Sequence, residues 1–275
     1  MPPAPGSRPT LRLVRHLART GGTVISKCLG CMNGVMLLSE THPEALGRWS
    51  NVLGQAREWH ALTTPQECKA WLTRGTGYAD IIAQLNVRAE ARASRLLLRE
   101  WTHLDFAGVP FATPTQEPVA TRALEERFSL RVVDTVRHPI DHWLSIRKIE
   151  TMRALTLEAH LAACAAYARE TAAIAGRLAD PSAHTLLKYE DFCADPGASL
   201  RAMCQTLELG FDEGWASGWA DNRHVTGDTA DSRGNRRRAI APLEPRERPE
   251  GLLEACLANP DYRDACDAWG YDPGG

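Results

Sequence analysis

The stretch Leu11-Arg-Leu-Val-Arg-His-Leu-Ala-Arg-Thr-Gly-Gly-Thr-Val-Ile-Ser-Lys-Cys-Leu-Gly30 constrains the fold more than any other. Leu11, Leu13 and Leu17 alternate with Arg12, Val14 and His16, a period near two that predicts a strand. Ala18 to Thr23 then form a turn with two glycines, and Val24, Ile25, Cys28, Leu29 and Met32 follow at helical spacing. Strand, glycine loop and helix N-terminus in that order aim free backbone N–H groups and the positive end of a helix dipole at one point. Gly21 and Gly22 let the backbone approach an anion closely. Thr20 and Thr23 offer hydroxyls, and Arg19 offers a planar fork of donors.

The pattern is not G-x-x-x-x-G-K-[ST], because no Lys-Ser or Lys-Thr follows the glycines and Lys27 lies more than a turn downstream. Read alone, Gly21-Gly22 is equally a tight strand-to-helix turn.

Further elements alternate in the same way. Residues 44–93 read as amphipathic helical pieces interrupted at Gly75-Thr-Gly77, and Pro43 ends the element before them. Arg95–Arg99 suits a buried parallel strand leading into the polar cluster Glu100-Trp-Thr-His-Leu-Asp105. Helices are expected over 119–128, from Pro139 through Ile146, over 155–178 and over 197–209. Strands are expected over 130–136 and 184–188. Residues 225–238 read as a loop, followed by a short helix near 249–258 and a tail. The fold class is α/β: one domain with a central, mostly parallel sheet flanked by helices. Residues 1–10 read as a disordered lead, and residues 11–272 as the domain.

The net charge of −2 gives no global basic field, so nucleic acid is not an expected partner. No apolar run approaches the ~18 residues of a membrane span, and no signal peptide is apparent, so a cytoplasmic location is expected. The eight cysteines mostly sit in apolar helical patterns and read as reduced buried thiols. Cys28-Leu-Gly-Cys31 has no second pair at zinc spacing, so no metal is expected.

A second anion site is legible at Arg137 and Ser145. Arg137 ends the strand over 130–136, and Ser145 lies eight residues on, about two turns into the next helix. A loop arginine folded back over that helix face shares an anion with the serine.

Together these pieces resemble the sulfotransferase family that uses 3′-phosphoadenylyl sulfate (PAPS). Arg19-Thr-Gly-Gly-Thr23 is similar to its 5′-phosphosulfate loop, [KR]-S-G-T-T. The stretch from Val132 through Arg137-His-Pro139 to Ser145 resembles its 3′-phosphate motif. Leu186-Leu-Lys-Tyr-Glu-Asp-Phe192, with Pro196 and Leu207-Glu-Leu-Gly210, resembles its Y-E-D-L…P…L-G-L stretch. Thr20 and Gly22 stand where Ser and Thr are usual. Arg19 follows the branch containing tyrosylprotein sulfotransferases rather than the Lys of cytosolic members.

The resemblance implies a P-loop-like architecture and sulfuryl transfer from PAPS to a hydroxyl or amine, leaving adenosine 3′,5′-bisphosphate (PAP). It implies donor binding by Arg19, Thr20, Gly21, Gly22, Thr23, Val24, Arg137 and Ser145, with Arg233, Gly234 and Arg236 of the later loop. It implies no metal. Arg19 also neutralises charge on the leaving oxygen. For the base, the T-H-L step at Thr102–Leu104 favours His103, with Glu100 and Asp105 as alternatives. A small-molecule or carbohydrate acceptor is expected, for which Trp49, Trp59, Trp71, Trp101 and Trp143 are pocket candidates. A homodimer is compatible with this reading. The rivals are a P-loop kinase or NTPase, since Asp134 ends a Walker-B-like strand, and a non-catalytic nucleotide-binding module.

Overall fold

In the computed structural model, residues 8–48, 52–227, 239–242 and 246–274 are described. Five strands form one parallel sheet in the order β2-β3-β1-β4-β5. Strand β1 (Thr10–His16) leads into α1 (Gly22–Leu29) and β2 (Val35–Thr41). Helices α2 (Val52–Glu58), α3 (Pro65–Thr73) and α4 (Tyr78–Glu90) precede β3 (Arg95–Glu100). After α5 (His103–Ala107) and α6 (Val119–Glu125) come β4 (Ser129–Val136), α7 (Pro139–Ile146) and the long α8 (Leu157–Arg177). Strand β5 (His184–Lys188) runs into α9 (Tyr189–Ala194), α10 (Pro196–Thr206) and the short α11 (Trp215–Gly218). Two C-terminal helices, Leu252–Ala258 and Pro260–Trp269, close the chain.

The strands are buried on both faces, as parallel sheets require. Leu11, Leu13, Leu96, Leu98, Leu130 and Val132 face one way, against Ile81, Ile82 and Leu85 of α4 and Leu124 of α6. Val14, Leu97, Val133 and Leu187 face the other way, against Ile25 and Leu29 of α1 and Leu200 of α10. β1 is central, so the glycine loop after it emerges mid-sheet, between the loops that follow β3 and β4.

Among the elements that escape the sequence periodicity are an edge strand and a C-terminal helix. The edge strand β2 follows α1 after only five residues, and its Val35-Met-Leu-Leu run merges with the apolar helical pattern before it. Gly34, at φ +71°, makes the break. The expected tail contains the helix Pro260–Trp269, which buries Tyr262, Ala265, Cys266 and Trp269. Asn259 caps it by accepting from the Asp261 N–H at 2.8 Å, and Pro260 opens its first turn. At the N-terminus, the Pro9 carbonyl already accepts the Ser129 N–H at 3.0 Å. No helix among the described residues is long and apolar enough to cross a membrane.

Candidate active site

The loop after β1 carries two left-handed residues, Arg19 (φ +74°) and Gly21 (φ +90°). Close packing makes glycine obligatory at both paired positions. A Cβ on Gly21 would collide with the Tyr189 ring, and one on Gly22 would collide with the His16 ring. The first intrahelical bond runs from the Ile25 N–H to the Gly21 carbonyl at 3.1 Å. The first-turn N–H groups before it have no acceptor within the helix.

The hydroxyl of Thr20 takes a different direction from the one its motif implies. Thr20 is buried, and its Oγ1 donates to the Leu17 carbonyl at 2.8 Å. It pins the loop to β1 and does not face the cavity.

Arg19, Gly21, Gly22, Thr23 and Val24 line a cavity of about 450 Å³ that Arg137 and Ser145 also line. The Arg137 guanidinium lies 5.3 Å from the centroid of the Tyr189 ring, so Tyr189 packs against both Gly21 and Arg137. The neighbouring Glu190 accepts the His138 N–H at 3.2 Å and the Tyr271 hydroxyl at 2.6 Å. The Tyr-Glu pair opening α9 therefore fixes both loops, one through each residue. Arg233, Gly234 and Arg236 lie outside the described residues. Ala239, Ile240, Ala241 and Arg246, which follow them, do line the cavity.

The far wall holds residues no motif announces. Arg99 donates from Nε to His16 Nε2 at 2.7 Å, and from Nη1 to Ser39 Oγ at 2.9 Å and the Thr226 carbonyl at 2.8 Å. Accepting from Arg99 leaves the His16 proton on Nδ1, which donates to the Leu17 carbonyl at 2.9 Å. Burial, then the Arg99 charge, push the His16 pKa down to about 3, so the ring is neutral. Glu40 also lines the cavity. Its carboxylate meets Arg99 Nη2 at 3.4 Å and accepts from Thr226 Oγ1 at 2.8 Å. Glu40 sits at φ +51°, where the β2–β3 register shifts, and a Cβ on Gly227 would come within 2.6 Å of its Oε1.

His103 and Glu100 are not on this wall. Both are buried. Neither His103 ring nitrogen has a hydrogen-bond partner among the described residues, and burial, with His160 nearby, lowers its pKa to about 4. Glu100 points to the opposite sheet face, where its Oε2 accepts from Thr121 Oγ1 at 2.7 Å. Burial raises its pKa to about 7 against the pull of Arg15. Asp105 is held by His42 Nε2 at 3.0 Å and the Val119 N–H at 3.2 Å. Successive residues of a strand face opposite ways, so a polar cluster at its end divides between the faces.

Asp134, the Walker-B-like acid, is occupied. Arg15 donates to both its oxygens at 2.8 Å, and Tyr167 and His184 also reach it at 2.8 Å. Burial alone would raise its pKa, but Arg15 and these hydrogen bonds hold it at about 2.

All eight cysteines are free. Among the described residues, His142, His160 and Cys164 are grouped closely enough to share an ion. The two rings lie against backbone carbonyls, His142 Nε2 at 2.6 Å from Ala18 and His160 Nε2 at 3.1 Å from Pro139. Of the tryptophans, Trp101 and Trp219 line the cavity. Trp71 is core, Trp59 stacks on His224, Trp143 packs by His160, and Trp49 lies outside the described residues.

A five-stranded parallel sheet flanked by helices, with a glycine loop after its central strand, defines a P-loop-like α/β fold. The sulfotransferase family model matches residues 16–213, and the chain belongs to that family. In structure it is similar to the sulfotransferase domain of the Synechococcus PCC 7002 olefin synthase: TM-score 0.67 at 20% identity, covering 98% of each chain. It is also similar to the sulfotransferase domain from the curacin biosynthetic pathway, with TM-score 0.63 at 15% identity over 97% of this chain and 99% of that one. A sulfotransferase from Alicyclobacillus acidocaldarius gives 0.52 at 13% identity over 97% of each. No curated protein matches the chain.

Proposed function

We propose that this sulfotransferase uses PAPS as donor and a small-molecule hydroxyl as acceptor. The observation that carries the reading is that Arg19 to Val24, after β1, and Arg137 with Ser145, after the adjacent β4, line one cavity. Arg19 and the first N–H groups of α1 hold the 5′-phosphate end, and Arg137 with Ser145 holds the 3′-phosphate. PAPS supplies an activated sulfuryl group. The acceptor oxygen forms the new S–O bond as the bond to the phosphate breaks, and the bonding pair leaves with PAP. Arg19 and the helix N–H groups stabilise that growing charge, a term of about 2.7–4 kcal/mol per donor in comparable sites.

Glu40 takes the acceptor proton. Among the described residues it is the carboxylate on the cavity wall, and Arg99 and Thr226 orient it. His103 and Glu100, expected in this role, act instead behind the wall as parts of the sheet's support.

The NTPase reading is disfavoured by Asp134, whose two oxygens both accept from Arg15. Calorimetry with PAP and AMP tests the donor: PAP should bind much the tighter, and equal affinities would refute the two-station reading. Turnover of labelled PAPS separates an enzyme from a nucleotide-binding module.

A further inference from the structure

Three metal-ligating side chains converge outside the cavity. His142 lies on α7, and His160 and Cys164 lie on α8, where a spacing of four residues puts both on one helix face. All three are buried, and none of them lines the cavity. The His142 and His160 rings meet edge-to-face, with centroids 4.6 Å apart.

Hydrogen bonds decide what each side chain offers. His142 Nε2 lies 2.6 Å from the Ala18 carbonyl, so that nitrogen carries the proton and donates it. The lone pair is left on Nδ1, which is 3.8 Å from Cys164 Sγ. His160 Nε2 is 3.6 Å from the same sulfur. A thiol has one hydrogen and can donate it to one ring only. A cation between the sulfur and both nitrogens satisfies all three groups. Bonds of about 2.3 Å to sulfur and about 2.05 Å to nitrogen, at the tetrahedral angle, set the two elements about 3.6 Å apart. Both observed separations are close to that, and the ligand atoms of the three residues all lie within 4.8 Å of one another. The Pro139 carbonyl, 3.1 Å from His160 Nε2, can serve as a fourth donor. A ligating histidine ordinarily donates its other N–H to a carbonyl or carboxylate, as His142 does to Ala18.

One thiolate and two imidazoles select a borderline-soft ion over magnesium or calcium. We propose that His142, His160 and Cys164 form a buried structural zinc site. His160 binds as the tautomer with its proton on Nδ1. The Cys164 thiol releases its proton to solvent as the chain folds around the ion, and the Zn–S bond takes its place. Because His142 holds Ala18 through its other nitrogen, the ion ties α7 and α8 to the loop that carries Arg19. It takes no part in the transfer, and the site does not depend on the donor reading: failure of PAP to bind would leave it standing.

The test expresses the full chain in zinc-supplemented medium, passes it over a weak chelating resin and counts zinc by elemental analysis. The wild type should retain about one ion per chain, as a closed structural site does. X-ray absorption at the zinc edge should show one sulfur with nitrogen or oxygen neighbours. Cys164→Ser, with its fold checked by circular dichroism, should lose the ion by more than the ~10–100-fold typical of removing a group that only orients a ligand. Cys204→Ser, in the core on the other side of the sheet, should retain it.

A wild-type chain that keeps no zinc would mean that protons alone fill the cluster, and the inference falls. A spectrum with two sulfurs would place the ion at Cys28 and Cys31 and overturn it equally, as would a folded Cys164→Ser that keeps its zinc. The spectrum of the wild type decides the matter even if Cys164→Ser does not fold.

Discussion

The two halves of the cavity are built from different kinds of sequence. On the β1/β4 side, each working group lies within a few residues of a strand end, in a local pattern: Arg19 to Val24 after β1, and Arg137 to Ser145 after β4. On the β2/β3 side, Glu40, Arg99 with Trp101, and Thr226 come from three separate parts of the chain. Backbone N–H groups and a helix dipole require local geometry, so a nucleotide site leaves a motif. An acceptor wall requires only that side chains converge, and convergence has no fixed spacing.

The largest effect is expected at the base, where the contrast between the two halves is most exposed. Glu40→Gln keeps the shape and removes the carboxylate, and turnover should fall about 10²–10⁴-fold with PAP affinity unchanged. His103→Asn should leave turnover near that of the wild type. If steady-state assays give the reverse, the base belongs to the local Thr102–Leu104 step and the acceptor side is more motif-like than its geometry implies.

Arg137→Ala probes the nucleotide side. It removes a charged hydrogen bond of about 1.5–3 kcal/mol, so PAP affinity should fall about ten- to a hundredfold. An unchanged dissociation constant in a folded variant would take Arg137 out of the site.

Glu100 is expected to act on stability instead of chemistry. Its folded pKa of about 7 lies above the ordinary 4.5. The folded carboxyl therefore holds its proton more tightly than the unfolded one. The stabilisation is fully present below pH 4.5 and declines as pH rises toward 7, by on the order of 3 kcal/mol at most. Glu100→Gln should flatten that decline. Urea midpoints at pH 5 and pH 8 would show it, and a wild-type midpoint independent of pH would contradict it.

The smallest effect is expected at Thr20. Thr20→Val removes the bond to the Leu17 carbonyl, costing about 1 kcal/mol of stability, and should leave PAP affinity intact. A large loss of affinity would mean that the hydroxyl turns outward to the ligand, as its place in the motif implies.

Much of the fold is legible in the sequence because buried parallel strands and amphipathic helices leave periodic signals. The patterns for β1, β3, β4 and β5 lie close to the observed bounds, as does the break at Gly75–Gly77. β2 is hidden by its proximity to α1, since one continuous apolar run serves a helix and an edge strand equally. Glu40 is hidden with it, because a residue on an unrecognised strand has no face to be assigned to.

The class of the fold and the cavity-lining loops after β1 and β4 are written in the sequence alone, since φ-permissive glycines, arginines and helix starts act within a few bonds of each other. Which acidic and histidine side chains reach the cavity is a matter of tertiary packing. His103, Glu100 and Asp134 carry the right chemistry and lie near strand ends. They are nonetheless withdrawn by burial, by the alternation of strand faces and by Arg15. Glu40 is delivered by a register shift in β2 and the close approach of Gly227. Local covalent geometry is set by neighbouring residues, whereas the pairing of surfaces from distant segments is settled only when the core packs.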